Sequence, residues 1–154
     1  MSLKKGETVP SVELKDKDAE FFNTDHFKGE KAFVIYFYPK NFTPGCTQEA
    51  CEFRDRYLEF KELGAEVIAI SSDSETSHTK FVNKYNLPFI FLSDKNKEAR
   101  KAFGVQSSLL GLIPGRETFI FDKNGILRMR YTNMNASQHT NTALKELKKL
   151  QDEK

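Results

Sequence analysis

KAFVIYFY, from Lys31 to Tyr38, is a run of aromatic and β-branched residues with no charge after its lysine. Such a run suits a strand covered on both faces, at the centre of a sheet. Downstream, Ala50, Phe53, Tyr57 and Phe60 recur at helical spacing and predict a helix from about Cys46 to Leu63, ended by Gly64. EVIAIS, Glu66 to Ser71, reads as the next buried strand. Strand, helix, strand at this spacing is a βαβ unit, so the two strands should run parallel with a right-handed crossover.

The same grammar extends in both directions. VELKDKDAEFFN, Val12 to Asn23, reads as a small hairpin turning at Asp16-Lys17-Asp18. SDSETSHTKFVNKYN is a loop and a second helix with Phe81, Val82 and Tyr85 inward, and PFIFLSD is a short strand. KNKEARKAFGV is a short helix ending near Gly104. ETFIFDKNGILRMRY is a hairpin turning at Asp122-Lys123-Asn124-Gly125. SQHTNTALKELKKL closes the chain as a helix with Leu144, Leu147 and Leu150 on one face. These elements predict one α/β domain over residues 1–154. Its expected form is a thioredoxin-like sandwich, a central mixed β-sheet flanked by helices with an N-terminal β-hairpin.

Composition excludes several function classes. The 24 basic and 22 acidic side chains leave a formal charge of +2, which argues against a nucleic-acid partner. Lys145, Lys148 and Lys149 cluster near the end of the last helix, where they read as a solvated face. The longest apolar run, Ala32 to Tyr38, is far too short to cross a bilayer, so no membrane association is expected. MSLKKGETVP has no hydrophobic region after its lysines and is no secretory signal. The expected compartment is the cytoplasm, where thiols stay reduced and disulfides are transient and catalytic.

PKNFTPGCTQEAC, Pro39 to Cys51, holds both cysteines of the chain. Pro39 follows the central strand, so Cys46 falls at the carboxyl end of a parallel sheet, on the first turn of the next helix, where open α/β sheets place their chemistry. A helix N-terminus offers unpaired N–H groups and the positive end of the dipole, which favour a thiolate over a thiol. Thr-Pro-Gly just before Cys46 favours a surface turn over core packing, which makes Cys46 a nucleophile rather than filler. Cys51 lies five residues on. Along an ideal helix that separates the two Cα atoms by about 8.7 Å. A disulfide needs them within about 7 Å, so the pair cannot bond while the helix is intact. A structural staple is also a poor account, since closing so small a loop stabilises by only about 2 kcal/mol. Two exchanging thiols, one attacking and one resolving after local unwinding, fit better than an inert buried Cys51.

Other cysteine chemistries fit less well. The histidines His26, His78 and His139 are scattered and form no zinc-ligand set with the cysteines. No histidine base lies near the motif in sequence, although a fold could deliver His139. His78, in the first turn of a helix, reads as a surface or hydrogen-bonded residue.

Pro39, Thr43 and Cys46 match Pro-x-x-x-Thr-x-x-Cys, and in this respect the chain resembles the peroxiredoxins. With Cys51 five residues later, TPGCTQEACEFRD is similar to the peroxiredoxin Q or bacterioferritin-comigratory-protein branch. VIYFYPK, SHTKFVNKYNLPFIFLSD and GRETFIFDKNGIL extend the likeness over most of the chain. The resemblance implies a thiol-dependent peroxidase acting on hydrogen peroxide and organic hydroperoxides, with no metal or organic cofactor. It implies Cys46 as the peroxidatic and Cys51 as the resolving cysteine, joined in an intramolecular disulfide and recycled by thioredoxin or a similar dithiol. It places Thr43 and Arg116 at the site with Pro39, and Glu49 at a position where the family often has an acidic residue. A monomer is expected. Residues 105–114, VQSSLLGLIP, are more apolar than this branch leads one to expect and should line one edge of the pocket. Two other classes use the same features: a redox-sensing interaction module with little turnover, and a non-enzymatic thioredoxin-like binding domain.

Overall fold

The computed structural model describes residues 3–105, 107–108 and 113–153. The strands are β1 (Glu13–Asp16), β2 (Phe21–Asn23), β3 (Ala32–Phe37), β4 (Ala65–Ser71), β5 (Ile90–Ser93), β6 (Ser107–Ser108), β7 (Ile113–Pro114), β8 (Glu117–Phe121) and β9 (Leu127–Thr132). The helices are α1 (Pro44–Asp55), α2 (Tyr57–Glu62), α3 (Glu75–Tyr85), α4 (Glu98–Phe103) and α5 (His139–Asp152), with a 3₁₀ turn at Ala136–Gln138 before the last. Half of the apolar stretch from Val105 to Pro114, expected to line the site, falls outside the described residues.

Seven strands form one sheet in the order β2-β1-β5-β4-β3-β8-β9, and β6 pairs with β7 apart from it. β3 lies beside β4 in parallel register from Ala32↔Ala65 to Phe37↔Ile70, as the βαβ reading requires. β4 continues in parallel to β5, while β8 and β9 add antiparallel strands on the other side of β3. The N-terminal hairpin joins the sheet through β1 and β5, and Asp16 accepts from the Asp18 and Glu20 N–H groups to form its turn.

β3 is buried on both faces because each face meets its own layer. Val34, Tyr36 and Tyr38 face Phe53, Phe60, Phe81 and Leu144, beneath α1, α2, α3 and α5. Phe33, Ile35 and Phe37 face Leu14, Phe27, Phe103 and Phe119 on the opposite side, where α4 and the N-terminal segment lie. The period of two in side-chain direction divides a continuous apolar run between two cores.

The single helix expected from Cys46 to Leu63 is two. It starts at Pro44, behind Thr43 as N-cap, because proline at the first helical position sacrifices no intrahelical bond. It breaks at Arg56, whose φ of −112° and ψ of 13° leave the helical region. Arg56 is held out of line by Glu59, bonded at 3.0 Å by both Nε and Nη2, and by Asn141 on α5. Phe53 and Phe60 remain in contact across the break, with ring centroids 5.5 Å apart, so apolar periodicity alone does not reveal it.

Candidate active site

Tyr38, buried just beyond the end of β3, precedes Pro39, where the chain turns across the end of the sheet. Five residues after Pro39, α1 begins at Pro44. Phe42 between them has a φ of 68°, a left-handed conformation strained for an aromatic residue. Its ring packs edge-on against Phe81 at 5.1 Å. Its neighbour Asn41 is buried and tied down on three sides. Its N–H donates to Asp73 at 2.9 Å, its Nδ2 donates to Ser77 at 3.1 Å, and its Oδ1 accepts from the Tyr38 hydroxyl at 2.5 Å. The same Nδ2 lies 3.0 Å from His78 Nδ1, and His78 Nε2 lies 3.1 Å from the Leu92 carbonyl. His78 is therefore buried and hydrogen-bonded, part of the anchor of the loop.

Cys46 is the third residue of α1 and is 1% exposed. Its backbone N–H belongs to the first turn, where the helix supplies no partner of its own. Arg116, at the end of the chain segment entering β8, donates from Nη2 to Cys46 Sγ at 3.4 Å. Nη1 donates to Glu49 Oε1 at 2.6 Å and Nε to the Met134 carbonyl at 2.9 Å. The guanidinium, always charged, is thus aimed by two bonds and points a third at the sulfur. Gly45 makes room for it: a Cβ there would stand 3.1 Å from Arg116 Nη2.

Arg100 holds the two approaches to the site together. Its Nη2 donates to the Tyr38 carbonyl at 2.8 Å and its Nη1 to the Gly115 carbonyl at 3.1 Å. One buried side chain therefore ties the residue before Pro39 to the residue before Arg116.

Glu49 lies one turn beyond Cys46 and is wholly buried. Burial pushes its carboxyl up to about 8, and the pull of Arg116 only partly opposes this. Its Oε2 has no hydrogen-bond partner among the described residues and lies 3.6 Å from Nδ1 of His139 on α5. His139 is also wholly buried, and burial pushes it down to about 4, so the imidazole is neutral at pH 7.

The structure thus gathers Cys46, Glu49 and Arg116 into one cluster. Thr43 adjoins it as the N-cap of α1, with its hydroxyl donating to the Lys40 carbonyl at 2.8 Å and its own carbonyl accepting from Thr47. Pro39 is half-buried beside it. Cys51 lies on the same intact helix, half-buried, and both thiols are free. Arg100 is an addition that sequence reasoning missed, and His139, which the sequence left only as a residue a fold could deliver, lies against Glu49. KEAR reads only as helix, and His139 lies 90 residues from the Glu49 it faces. Among the described residues, no three His, Cys, Asp or Glu side chains come together as a metal site.

A buried thiol at a helix start, at the carboxyl end of a mixed α/β sheet and under an arginine, defines a thiol peroxidase of thioredoxin-like fold. Residues 5–130 match the AhpC/TSA family. The chain is 48% identical over 147 residues to chloroplastic peroxiredoxin Q of Sedum lineare, covering 95% of this chain and 78% of that one. The crystal structure of peroxidoxin BcpB from Mycobacterium tuberculosis superposes with a TM-score of 0.88 at 32% identity, covering 96% of this chain and 98% of that one. The bacterioferritin comigratory protein of Xanthomonas campestris, described for its alkyl peroxide reduction activity, superposes with a TM-score of 0.83 at 28% identity, covering 91% of this chain and 92% of that one. The chain belongs to the AhpC/TSA family, as a peroxiredoxin of the Q or bacterioferritin-comigratory branch. Among the described residues no helix is long and apolar enough to cross a membrane.

Proposed function

We propose that this peroxidase reduces hydrogen peroxide and organic hydroperoxides through Cys46 and resolves the product through Cys51. The observation that carries the reading is the Arg116 guanidinium, aimed by Glu49 and the Met134 carbonyl and donating to the Cys46 sulfur. In the first step the Cys46 thiolate attacks the terminal peroxide oxygen. The S–O bond forms as the O–O bond breaks, and the leaving oxygen takes a proton to become water or an alcohol. Cys46 becomes a sulfenic acid.

Negative charge moves from sulfur onto the two oxygens, so fixed donors lower the barrier. Arg116 and the Cys46 N–H supply them. Thr43, whose own proton is given to Lys40, offers its oxygen lone pairs to the peroxide O–H. Pro39 and Pro44 fix the backbone around the sulfur and keep water out. The Cys51 thiolate then attacks the sulfenic sulfur, the S–S bond forms as the S–O bond breaks, and the departing hydroxide takes a proton to leave as water. Thioredoxin or a similar dithiol reduces the disulfide.

The working form is a monomeric single domain over residues 1–154, needing no metal or organic cofactor, no nucleic acid and no membrane. Its compartment is the cytoplasm, where the resting thiols are kept reduced.

Peroxide consumption with a thioredoxin system, followed in variants, tests the assignment. Cys46→Ser should be inactive. Cys51→Ser should complete one fast turnover and then stall as sulfenic acid unless a small thiol is added. A slow single turnover in Cys51→Ser with a normal one in Cys46→Ser would reverse the roles.

A further inference from the structure

Glu49 and His139 pose a problem of proton inventory. His139 Nε2 lies 2.7 Å from the Asn133 carbonyl, which can only accept, so Nε2 carries a proton. In a neutral ring Nδ1 is then an acceptor with one lone pair, 2.7 Å from the Thr118 hydroxyl. That lone pair faces Glu49 Oε2 at 3.6 Å, and both residues are wholly buried. Thr118 serves Nδ1 but leaves Glu49 Oε2 without a donor, and a buried acceptor without one is costly in a low-dielectric interior. A single proton on Oε2 turns the same contact into a donor–acceptor pair once the Thr118 hydroxyl yields the Nδ1 lone pair to it, and about 1 Å of carboxyl rotation closes it to hydrogen-bond length.

We propose that Glu49 and His139 share one proton, Oε2 to Nδ1, and that His139 is a positioning residue acting through Glu49 on Arg116. The proposal rests on the peroxidase reading above. With the proton in place, Glu49 is neutral, and the Arg116 charge is left to the thiolate and the peroxide. Without it, Glu49 is a full carboxylate that competes with the sulfur for the same guanidinium. The charged groups around the pair act on it in both directions. Glu52 on α1 disfavours a charged Glu49, whereas Arg116 favours one. Tyr36 on β3 feels the Glu49 charge, and its hydroxyl has no partner among the described residues. Glu117 on β8 and Arg116 act on His139 with opposite sign, and the Tyr131 ring of β9 closes its edge at 4.8 Å.

The test is the pH profile of the single-turnover reaction of reduced protein with hydrogen peroxide. His139→Gln keeps a donor for the Asn133 carbonyl but places no lone pair where Nδ1 stood. Losing that acceptor makes Glu49 ionise at lower pH. The alkaline fall of the wild-type rate should therefore move about one unit lower in the variant, making it about fivefold slower at pH 8 and nearly unchanged at pH 6. Equal slowing at every pH, or a profile superposing on wild type, would overturn the proposal. Should the variant not fold, the infrared carbonyl band of a protonated carboxylic acid in wild-type protein at pH 7, lost in Glu49→Gln, supplies the same answer, and its absence from wild type refutes the shared proton. No peroxide reaction in wild type at any pH would instead sink the peroxidase reading, leaving the infrared band to decide the proton.

Discussion

Arg116 is held by Glu49 and the Met134 carbonyl and turns Nη2 toward Cys46. Arg116→Met keeps much of the bulk and removes the charge and every bond. The peroxide step should slow about 10²- to 10³-fold, the usual cost of losing one preorganised donor to a developing anion. Stopped-flow oxidation of Cys46 measures it, and a rate within twofold of wild type would place Arg116 outside the chemistry. Gly45→Ala tests the same geometry without touching a charged group. Alanine should favour the helix by up to about 1 kcal/mol. Its Cβ would nevertheless stand 3.1 Å from a guanidinium that two other bonds prevent from retreating. A protein of equal or greater thermal stability with a several-fold slower peroxide step is expected; unchanged kinetics would mean that Arg116 gives way freely.

α1 carries both cysteines in one unbroken stretch from Pro44 to Asp55, and the Cα limit for a disulfide forbids their bonding there. Turnover through Cys51 therefore requires the first turns to unwind. The strained backbone at Phe42 stands just ahead of them, while Asn41 stays anchored to Asp73 and Ser77. Phe53 stacks on Tyr36 at 4.5 Å and resists unwinding from the other end. Backbone amides from residue 46 to 54 should exchange faster in the oxidised protein than in the reduced one. Equal protection in both states, with the disulfide confirmed by mass, would show that the helix need not open.

Across the whole molecule, Glu49 links the site to stability. Its folded value of about 8 lies above the ordinary 4.5, so the folded state keeps a proton that the unfolded chain releases. This contribution is complete below pH 4.5 and is lost as pH rises through 8. His139 has the opposite sign: its folded value of about 4 lies below 6.5, so its contribution is present above pH 6.5 and is lost as pH falls through 4. From pH 6.5 to 8 Glu49 therefore acts alone within this pair. Stability should fall by roughly 2 kcal/mol over that window, an upper bound for one buried group. Denaturant midpoints should show this slope in wild type and lose it in Glu49→Gln. A wild-type midpoint independent of pH would mean that Glu49 is already ionised in the fold.

Much was legible in local pattern because the interactions are local. Lys31–Tyr38 reads as a doubly covered strand, and the βαβ unit follows from spacing. The N-terminal position of Cys46 follows from Thr-Pro-Gly, and the impossibility of a helical disulfide from five residues of rise. What lay beyond reach depends on chain segments far apart. The break at Arg56 hides behind an uninterrupted apolar period, and one of the Arg56 side chain's partners, Asn141, comes from α5, 85 residues away. Arg100 joins Tyr38 to Gly115 across the sheet end. His139 faces Glu49 only because α5 packs back against α1. Composition and periodicity determine which surfaces are apolar and therefore buried. Which polar groups meet beneath them is decided by tertiary packing, since a buried charge takes its partner from whatever element the fold brings within a few ångströms.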